Sequence, residues 1–301
     1  MHTLRERTTT VTDEDDDTRG HSGHADLQLL GLNVAVVTVA EAQNRRSRAV
    51  PPRSPWISME QYAGLIRTHT PIRVLRLPMT TGDARVIAAQ IVALTPPVSV
   101  AFVTGLAARE SSQVKSEVAA RGGPLIITEL DVVTAGLAAT TISVLRRRGA
   151  APRSGRVVVN GPECAPLLGP TLMKSGIGQI ANWHGGDAHA FPLRRLMERH
   201  DVLIDLAGTA ADTDAPGRTV PYPTDPYSVG QLVVPGLISA MCGYDAREVT
   251  SEVLAATARA LALTTPAGQA LPAPDDGLVI RAITRQVGRI FAHLTDRSRH
   301  H

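Results

Sequence analysis

Residues 156–166 have the sequence Arg156-Val-Val-Val-Asn-Gly161-Pro-Glu-Cys-Ala165-Pro166, which is the clearest indication of fold in the chain. Three consecutive valines predict a strand that is buried on both faces, as in a parallel sheet covered by helices. Gly161 follows the strand directly, and a helical pattern comes soon after it. A junction of this kind can bring the phosphates of a nucleotide against the turn backbone at a helix N-terminus. The stretch therefore predicts a βαβ unit with a candidate nucleotide contact at Gly161.

The turn departs from the usual dinucleotide-binding pattern. Of the three glycines in that pattern only the first is present, because Glu163 takes the second position and Pro166 the third. A carboxylate at about 4 Å from a phosphate repels it by roughly 4 kcal/mol at an effective dielectric constant of about 20, unless the side chain points away. The next predicted strand leads into His184, where an acid would bind the ribose hydroxyls. Two interpretations stay open, a structural βαβ unit and a working cofactor site.

Short apolar runs alternate with helical patterns through most of the sequence. Predicted strands cover residues 33–39, 72–77, 98–103, 125–128, 156–160, 179–183, 202–206 and 232–234. Predicted helices cover residues 58–67, 84–94, 110–120, 132–148, 166–175, 193–199, 246–263 and 277–294. This alternation predicts an α/β protein with mostly parallel sheets.

Two domains are predicted from this order. Residues 1–25 are polar and charged and predict a disordered polar tail. Residues 26–128 are expected to form an N-terminal α/β domain. Residues 129–301 are expected to form a Rossmann-like NAD(P)-binding-type domain on a doubly wound parallel sheet, with a hinge near residues 128–131.

Composition narrows the class of protein. Hydrophobic residues make up 43% of the 301 residues and charged residues 20%, as in a globular protein with a sizeable core. Aromatic residues at 3% and a net charge of +3 argue against a nucleic-acid partner. Two cysteines exclude a disulfide scaffold, and no apolar run is long enough to span a bilayer. We expect a cytoplasmic protein with no membrane partner.

Several stretches, taken in order, resemble the motifs of one family. They are Met59-Glu60 before an apolar helix, Thr134-Ala135 at the opening of a long helix, residues 157–161, 176–183, 201–208 and 232–237, and Leu271-Pro-Ala-Pro-Asp-Asp276 before the last helix. Together they resemble malic enzymes, the metal-dependent NAD(P) oxidoreductases that decarboxylate malate, between about Leu32 and Leu294. The resemblance implies a two-domain malic-enzyme-like fold, NAD or NADP as cofactor, a small-molecule or nucleotide ligand, and a homodimer.

The same resemblance implies that metal-dependent decarboxylation is lost. The family's adjacent Glu-Asp metal ligands fall on Gly105-Leu106, and its later aspartate falls on Leu130. A divalent cation polarises the malate hydroxyl and stabilises the enolate, so no metal site is expected without these carboxylates. The family's base lysine falls on Tyr62, and its substrate-binding asparagines fall on residues 227–230.

Three residues are candidates for catalysis, namely Glu129, Asp131 and Tyr62. Glu129 and Asp131 are suited to an acid–base pair. They are equally suited to capping the helix that follows and interacting with its dipole. Tyr222 and Tyr227, in the Pro-rich segment around residues 216–226 after a predicted strand, are candidates for lining a cleft.

Seven residues are candidates for contact with the cofactor: Thr134, Gly161, Glu163, Cys164, Ala165, His184 and Gly208. Cys164 is either a reactive thiol at a helix N-terminus or a small buried thiol. Two hypotheses for function follow. The first is an oxidoreductase relative that binds NAD(P) and acts on another substrate. The second is a non-catalytic pseudoenzyme that keeps the fold as a regulatory or scaffold binding protein.

Overall fold

A computed structural model gives the fold of residues 32–40, 54–80, 82–210, 217–274 and 277–299, with side chains as far as residue 292. The predicted disordered tail, residues 1–25, lies outside these ranges. The described chain forms two sheets of four strands each, and all neighbouring strands in both sheets are parallel. The prediction of an α/β protein with parallel sheets is confirmed.

The first sheet consists of β1 (Asn33–Val39), β2 (Arg73–Met79), β3 (Val100–Thr104) and β4 (Leu125–Thr128), in the order β2-β1-β3-β4. Its helices are α1 (Pro55–His69), α2 (Ala84–Val92) and α3 (Ala108–Ala120). The central strand β1 is buried from Val34 to Val39, because α1 covers one face of the sheet and α2 and α3 cover the other.

The second sheet consists of β5 (Arg156–Asn160), β6 (Gln179–Trp183), β7 (Val202–Asp205) and β8 (Thr219–Pro221), in the order β6-β5-β7-β8. The helices after β4 are α4 (Glu129–Arg147), α5 (Leu168–Lys174), α6 (Leu193–Met197), α7 (Pro226–Gly243), α8 (Ser251–Thr264) and α9 (Gly277–Arg299). Short 3-10 turns cover Pro152–Ser154, Pro162–Cys164 and Gly185–Asp187. None of the described helices combines the length and the apolar character that crossing a bilayer requires.

The predicted strand at residues 232–234 is wrong, because this segment lies in the middle of α7. Asp225 caps the helix by accepting a hydrogen bond from the backbone N–H of Tyr227, and Pro226 suits the first helical position. The apolar run is buried because α7 packs against α4 and α9. A short apolar run does not distinguish a buried strand from a buried helix. The sequence pattern also does not reveal β8, which is only three residues long.

Helix α4 connects the two sheets through one continuous core. It is 19 residues long, and most of its side chains are buried. It contacts β3 and β4 of the first sheet and β7 and β8 of the second. The largest apolar cluster accordingly contains Val36 and Phe102 from the first sheet together with Val159 and Ile204 from the second. The domain boundary at residues 128–129 and the hinge stay predictions.

A glycine sets the distance between α4 and α7. A Cβ atom built on Gly136 would lie 2.4 Å from Cγ1 of Val229, at the start of α7. This distance is far inside van der Waals contact, and the β-branched side chain of Val229 has little rotamer freedom to move away. The two helices therefore approach as closely as they do because residue 136 has no side chain.

We predict that Gly136→Ala lowers the free energy of unfolding by about 1–3 kcal/mol, the usual cost of overpacking, although alanine has the higher helix propensity. Urea unfolding followed by circular dichroism measures the change. The matched control is Gly64→Ala in α1, where the added Cβ meets no atom within 4 Å. This control is expected to keep or raise the stability. Equal unfolding midpoints for Gly136→Ala and the wild type would contradict the role of the contact.

Candidate functional site

Tyr62 lies at the centre of a cluster that joins three distant parts of the sequence. Its ring in α1 is fully buried and meets Phe102 of β3 at a centroid distance of 4.7 Å and Tyr227 of α7 at 5.0 Å, both edge to face. Its hydroxyl donates a hydrogen bond to Oε1 of Glu129, at 3.3 Å. The structure thus brings together Tyr62 and residues 227–230, which the resemblance links to the base and to the substrate carboxylate, and adds the candidate Glu129.

Gly230 provides the space that the Tyr62 ring fills. A Cβ atom at Gly230 would lie 2.5 Å from Cε1 of Tyr62 and 2.7 Å from its hydroxyl oxygen. A tyrosine side chain buries about 150–250 Å² of surface. The cluster is therefore aromatic packing in which the ring and the hydroxyl group of Tyr62 are closed off from solvent.

Burial raises the pKa of Tyr62 well above its ordinary value of 10.0, and the neighbouring carboxylate of Glu129 raises it further. A phenol in this state keeps its proton at neutral pH and directs it toward Glu129. It is therefore unable to take a proton from a substrate hydroxyl, which is what a base at this position has to do.

Asp131 caps α4. Its Oδ2 accepts hydrogen bonds from the backbone N–H and the hydroxyl of Thr128, at 2.7 and 2.8 Å, and its Oδ1 accepts one from Nζ of Lys115, at 2.7 Å. Oγ1 of Thr128 accepts in return from the backbone N–H of Asp131, which completes a capping box. The side chain of Asp131 is only 3% exposed. Glu129 and Asp131 thus have different neighbours, and the structure does not bring them together as an acid–base pair.

The turn after β5 has only part of the geometry of a nucleotide site. Gly161 has a φ of +73°, a conformation that favours glycine. A Cβ atom there would also lie 3.0 Å from Cβ of Ala207, in the loop after β7. The residues that follow form a 3-10 turn, and α5 begins only at Leu168. The predicted helix start at Pro166 is therefore wrong, and Gly161 does not lie at the N-terminus of an α-helix.

Glu163 and His184 contact each other across the carboxyl ends of β5 and β6. Oε2 of Glu163 lies 3.2 Å from Nδ1 of His184, an ion pair when the imidazole is protonated, and the two side chains are 66% and 53% exposed. The carboxylate at the second glycine position thus has a partner and is screened by solvent. Its repulsion of a phosphate is therefore smaller than that of a desolvated, unpaired charge.

Sequence reasoning does not predict the buried polar network at the same edge. Asn160, the last residue of β5, donates from Nδ2 to Oδ1 of Asp205, the last residue of β7, at 2.6 Å, and to Oγ1 of Thr209 at 3.0 Å. Asp205 also accepts from the backbone N–H groups of Gly208 and Ala210. The sequence does contain one signal for this network, which is a polar residue at the end of each of two strands. The carboxyl ends of adjacent parallel strands meet at one edge of the sheet, so such residues come close together.

The other cofactor candidates have little to offer a ligand. The buried hydroxyl of Thr134 donates to the carbonyl oxygen of Leu130, at 2.7 Å, and the N–H of Gly208 belongs to the network just described. Ala165 is buried, and Cys164 lies half-buried in the 3-10 turn. The residues present therefore do not fit a dinucleotide held by a glycine turn and a helix N-terminus.

The metal-ligand positions of the resemblance carry no acidic side chains. Leu106 and Leu130 are buried apolar residues and offer no side-chain oxygen to a divalent cation. Within the described parts of the chain, no three or more His, Cys, Asp or Glu side chains are grouped so that they could hold a metal ion.

The surroundings of Tyr62 predict a pH dependence of stability. Because the folded-state pKa lies above the unfolded-state value of about 10, the stabilisation by neutral Tyr62 is fully present below about pH 10 and is lost as the pH rises further. We predict that Tyr62→Phe reduces this alkaline loss. Urea unfolding at about pH 8 and about pH 10.5 measures it, and the wild type should lose more stability than the variant.

Tyr244→Phe is the matched control for this experiment. Tyr244 is 50% exposed, and its ring stacks on Phe291 at the surface. This variant is expected to follow the wild type. An equal alkaline loss in Tyr62→Phe and the wild type would show that the Tyr62 hydroxyl is not held in its protonated form by the fold.

The fold resembles those of several solved malic enzymes. The NAD-dependent malic enzyme from Thermotoga maritima matches with a TM-score of 0.66 and 14% identity, over 95% of this chain and 96% of that chain. The malic enzyme from Pyrococcus horikoshii Ot3 matches with a TM-score of 0.67 and 11% identity, over 98% and 87% of the two chains. The Entamoeba histolytica malic enzyme matches with a TM-score of 0.67 and 12% identity, over 97% and 78%.

Sequence comparison adds no closer relative. No family sequence model matches the chain, and no curated protein matches its sequence. At identities of 11–14%, the structural matches bear on the fold alone. The resemblance seen in the sequence motifs is confirmed at that level: the chain has the two-sheet α/β fold of malic enzymes.

Proposed function

We propose that this chain is a small-molecule-binding protein with the malic-enzyme fold that does not carry out metal-dependent decarboxylation. The observation that supports this proposal is the packing of Tyr62. Its buried ring and bonded hydroxyl occupy the position that the resemblance assigns to the base lysine. A proton acceptor at that position has been replaced by a buried proton donor, and the reaction needs the acceptor.

The metal-ligand positions support the same proposal. A cation that polarises malate needs carboxylate oxygens converging on one point. The corresponding residues are Gly105, Leu106 and Leu130, and the adjacent Asp131 uses both oxygens to cap α4 and to bind Lys115.

A second candidate function is that of an NAD(P)-binding oxidoreductase that acts on another substrate. Gly161 favours it, because a left-handed glycine directly after a central parallel strand is typical of dinucleotide sites. One structure with this fold is that of an NAD-dependent enzyme. The late start of α5 and the carboxylate of Glu163 argue against it.

We also propose that the chain forms a homodimer, as the resemblance implies. Trp56 and Ile57, in the first turn of α1, are 56% and 52% exposed and form adjacent apolar surface that an interface would cover. Sedimentation equilibrium is expected to give twice the mass of the chain. A monomer at all concentrations would contradict this proposal.

Calorimetric titration with NAD(H) and NADP(H), with and without Mn²⁺, tests the main proposal together with an assay for malate-dependent NAD(P)H formation. We expect no turnover, and dissociation constants of about a millimolar or weaker for the dinucleotides. Low-micromolar binding of either dinucleotide would favour the second candidate function. Turnover of malate would overturn the proposal.

The charge of Glu163 predicts a small effect on dinucleotide binding. Because this carboxylate is exposed and contacts His184, we expect Glu163→Gln to strengthen NAD(H) binding by up to about fivefold at low salt, and less at higher salt. The matched control is Glu198→Gln, an exposed residue at the end of α6. An improvement of about a hundredfold would mean that the carboxylate lies in the path of the phosphates, and would favour the second candidate.

A further inference from the structure

A cleft of about 720 Å³ opens between α3, the start of α4 and the residues that lead into α8. Its volume lies within the range of small-molecule sites, about 300–1,000 Å³. Tyr62 and its aromatic neighbours do not line it, and neither does Gly161. Of the cofactor candidates only Thr134 is part of its lining, and the hydroxyl of Thr134 is bound to Leu130. The cleft is therefore separate from the Tyr62 cluster and from the Gly161 turn, and it includes Leu130 and Asp131 from the positions that the resemblance or the sequence links to the metal or to catalysis.

The cleft is open because α3 has small side chains on this face. The lining residues of the helix recur at the spacing of one helical face: Ala108, Ser111, Ser112, Lys115, Ser116 and Ala119. Large apolar residues at this spacing would pack against the neighbouring helix and fill the space. Alanine and serine leave it empty, with a single lysine among the hydroxyl groups.

The polar groups on α3 have hydrogen-bonding capacity that the protein does not use. Nζ of Lys115 donates to Asp131 at 2.7 Å, and its side chain is 28% exposed. An ammonium group carries three N–H donors, so two are available to a ligand. Ser111 is only 4% exposed, and its Oγ has no hydrogen-bond partner among the described residues. A hydroxyl buried in this way costs free energy that a ligand would recover by bonding to it.

The opposite wall adds a second cation and further hydroxyl groups. Arg247 lines the cleft and is 89% exposed, and among the described residues it makes a polar contact of 3.4 Å with the equally exposed Asp245. Thr250 and Ser251 lie beside it at the start of α8. Glu248 also lines this wall and is exposed. The carboxylate of Asp131 is already paired, so the groups still able to bind are mainly donors.

We propose that this cleft binds a small molecule that carries a carboxylate or phosphate group, with the oxyanion at Lys115 and Ser111. The inference rests on the proposed function, because it gives the small-molecule binding a location. A hydrogen bond from an ammonium group to an oxyanion is stronger than one between neutral groups. Leu130 and Val249 supply apolar surface for the remainder of the ligand.

Calorimetric titration with inorganic phosphate and with succinate tests the site and separates the two classes of oxyanion. Ser116→Leu narrows the cleft from an exposed position and leaves the pair of Lys115 and Asp131 intact. Gln113→Leu, exposed on the same helix but outside the lining, is the matched control. We expect one or both probes to bind the wild type and the control, and to bind Ser116→Leu at least about tenfold more weakly.

A double variant tests the cation directly. Lys115→Met combined with Asp131→Asn removes both charges, so that neither is left buried alone, and is expected to lose binding of the oxyanion. Binding that Ser116→Leu leaves unchanged would overturn the cleft as the site while the proposed function stands. Failure of both probes to bind the wild type at about 10 mM, some tenfold above a millimolar dissociation constant, would overturn the inference itself. Malate turnover would overturn the proposed function without bearing on the cleft.

Discussion

The connection between the two sheets depends on the hydrogen bonds and the ion pair that the carboxylate of Asp131 makes. A buried charge is costly unless it is paired and hydrogen-bonded, and Asp131 meets both conditions through Thr128 and Lys115. Lys115 comes from α3, Thr128 ends β4, and Asp131 lies in the first turn of α4. One carboxylate therefore fixes a helix, a strand end and the next helix at a single point. Because α4 continues into the core of the second sheet, this contact lies at the point where the first sheet is joined to the rest of the chain.

Aromatic packing and a catalytic base make opposite demands on the position of Tyr62. A lysine base must meet the substrate, so it needs an open approach. Tyr62 is held between Phe102 and Tyr227, and the missing side chain of Gly230 accommodates its ring. Edge-to-face contacts contribute about 0.5–1.5 kcal/mol each beyond the burial of area. The cluster thus stabilises the contact between α1 and α7, and it fills the space through which a substrate would have to approach a catalytic base.

Local sequence patterns were sufficient to predict most of the strands, but they were not sufficient to predict the contacts of the candidate site. The bounds of β1, β4, β5 and β6 agree with the prediction, and the last three of these strands are followed directly by a polar or turn residue. The run at residues 232–234 lies in a helix buried on most sides, so its hydrophobicity has no period to reveal the helix. The position of Asp131 before a helix allowed either an acid–base or a capping role, and the contact that decides between them comes from Lys115 of another helix. Asn160 and Asp205, 45 residues apart, become partners only once β5 and β7 are neighbours.

The network of Asn160 and Asp205 has a consequence for motion at the edge of the second sheet. The N–H groups of Gly208 and Ala210 bond to a carboxylate that is itself bonded to β5, so the start of this loop continues the hydrogen-bonded edge of the sheet. The conformational entropy of these residues is lost when the chain folds, and not when another molecule arrives. Exchange of the amide protons of Gly208 and Ala210 with solvent then requires the hydrogen bonds at the carboxyl ends of β5 and β7 to open. A ligand that binds at the carboxyl ends of β5 and β7 meets a surface that is already ordered. The fixed shape of this surface, and not its closure around the ligand, then determines which ligands bind.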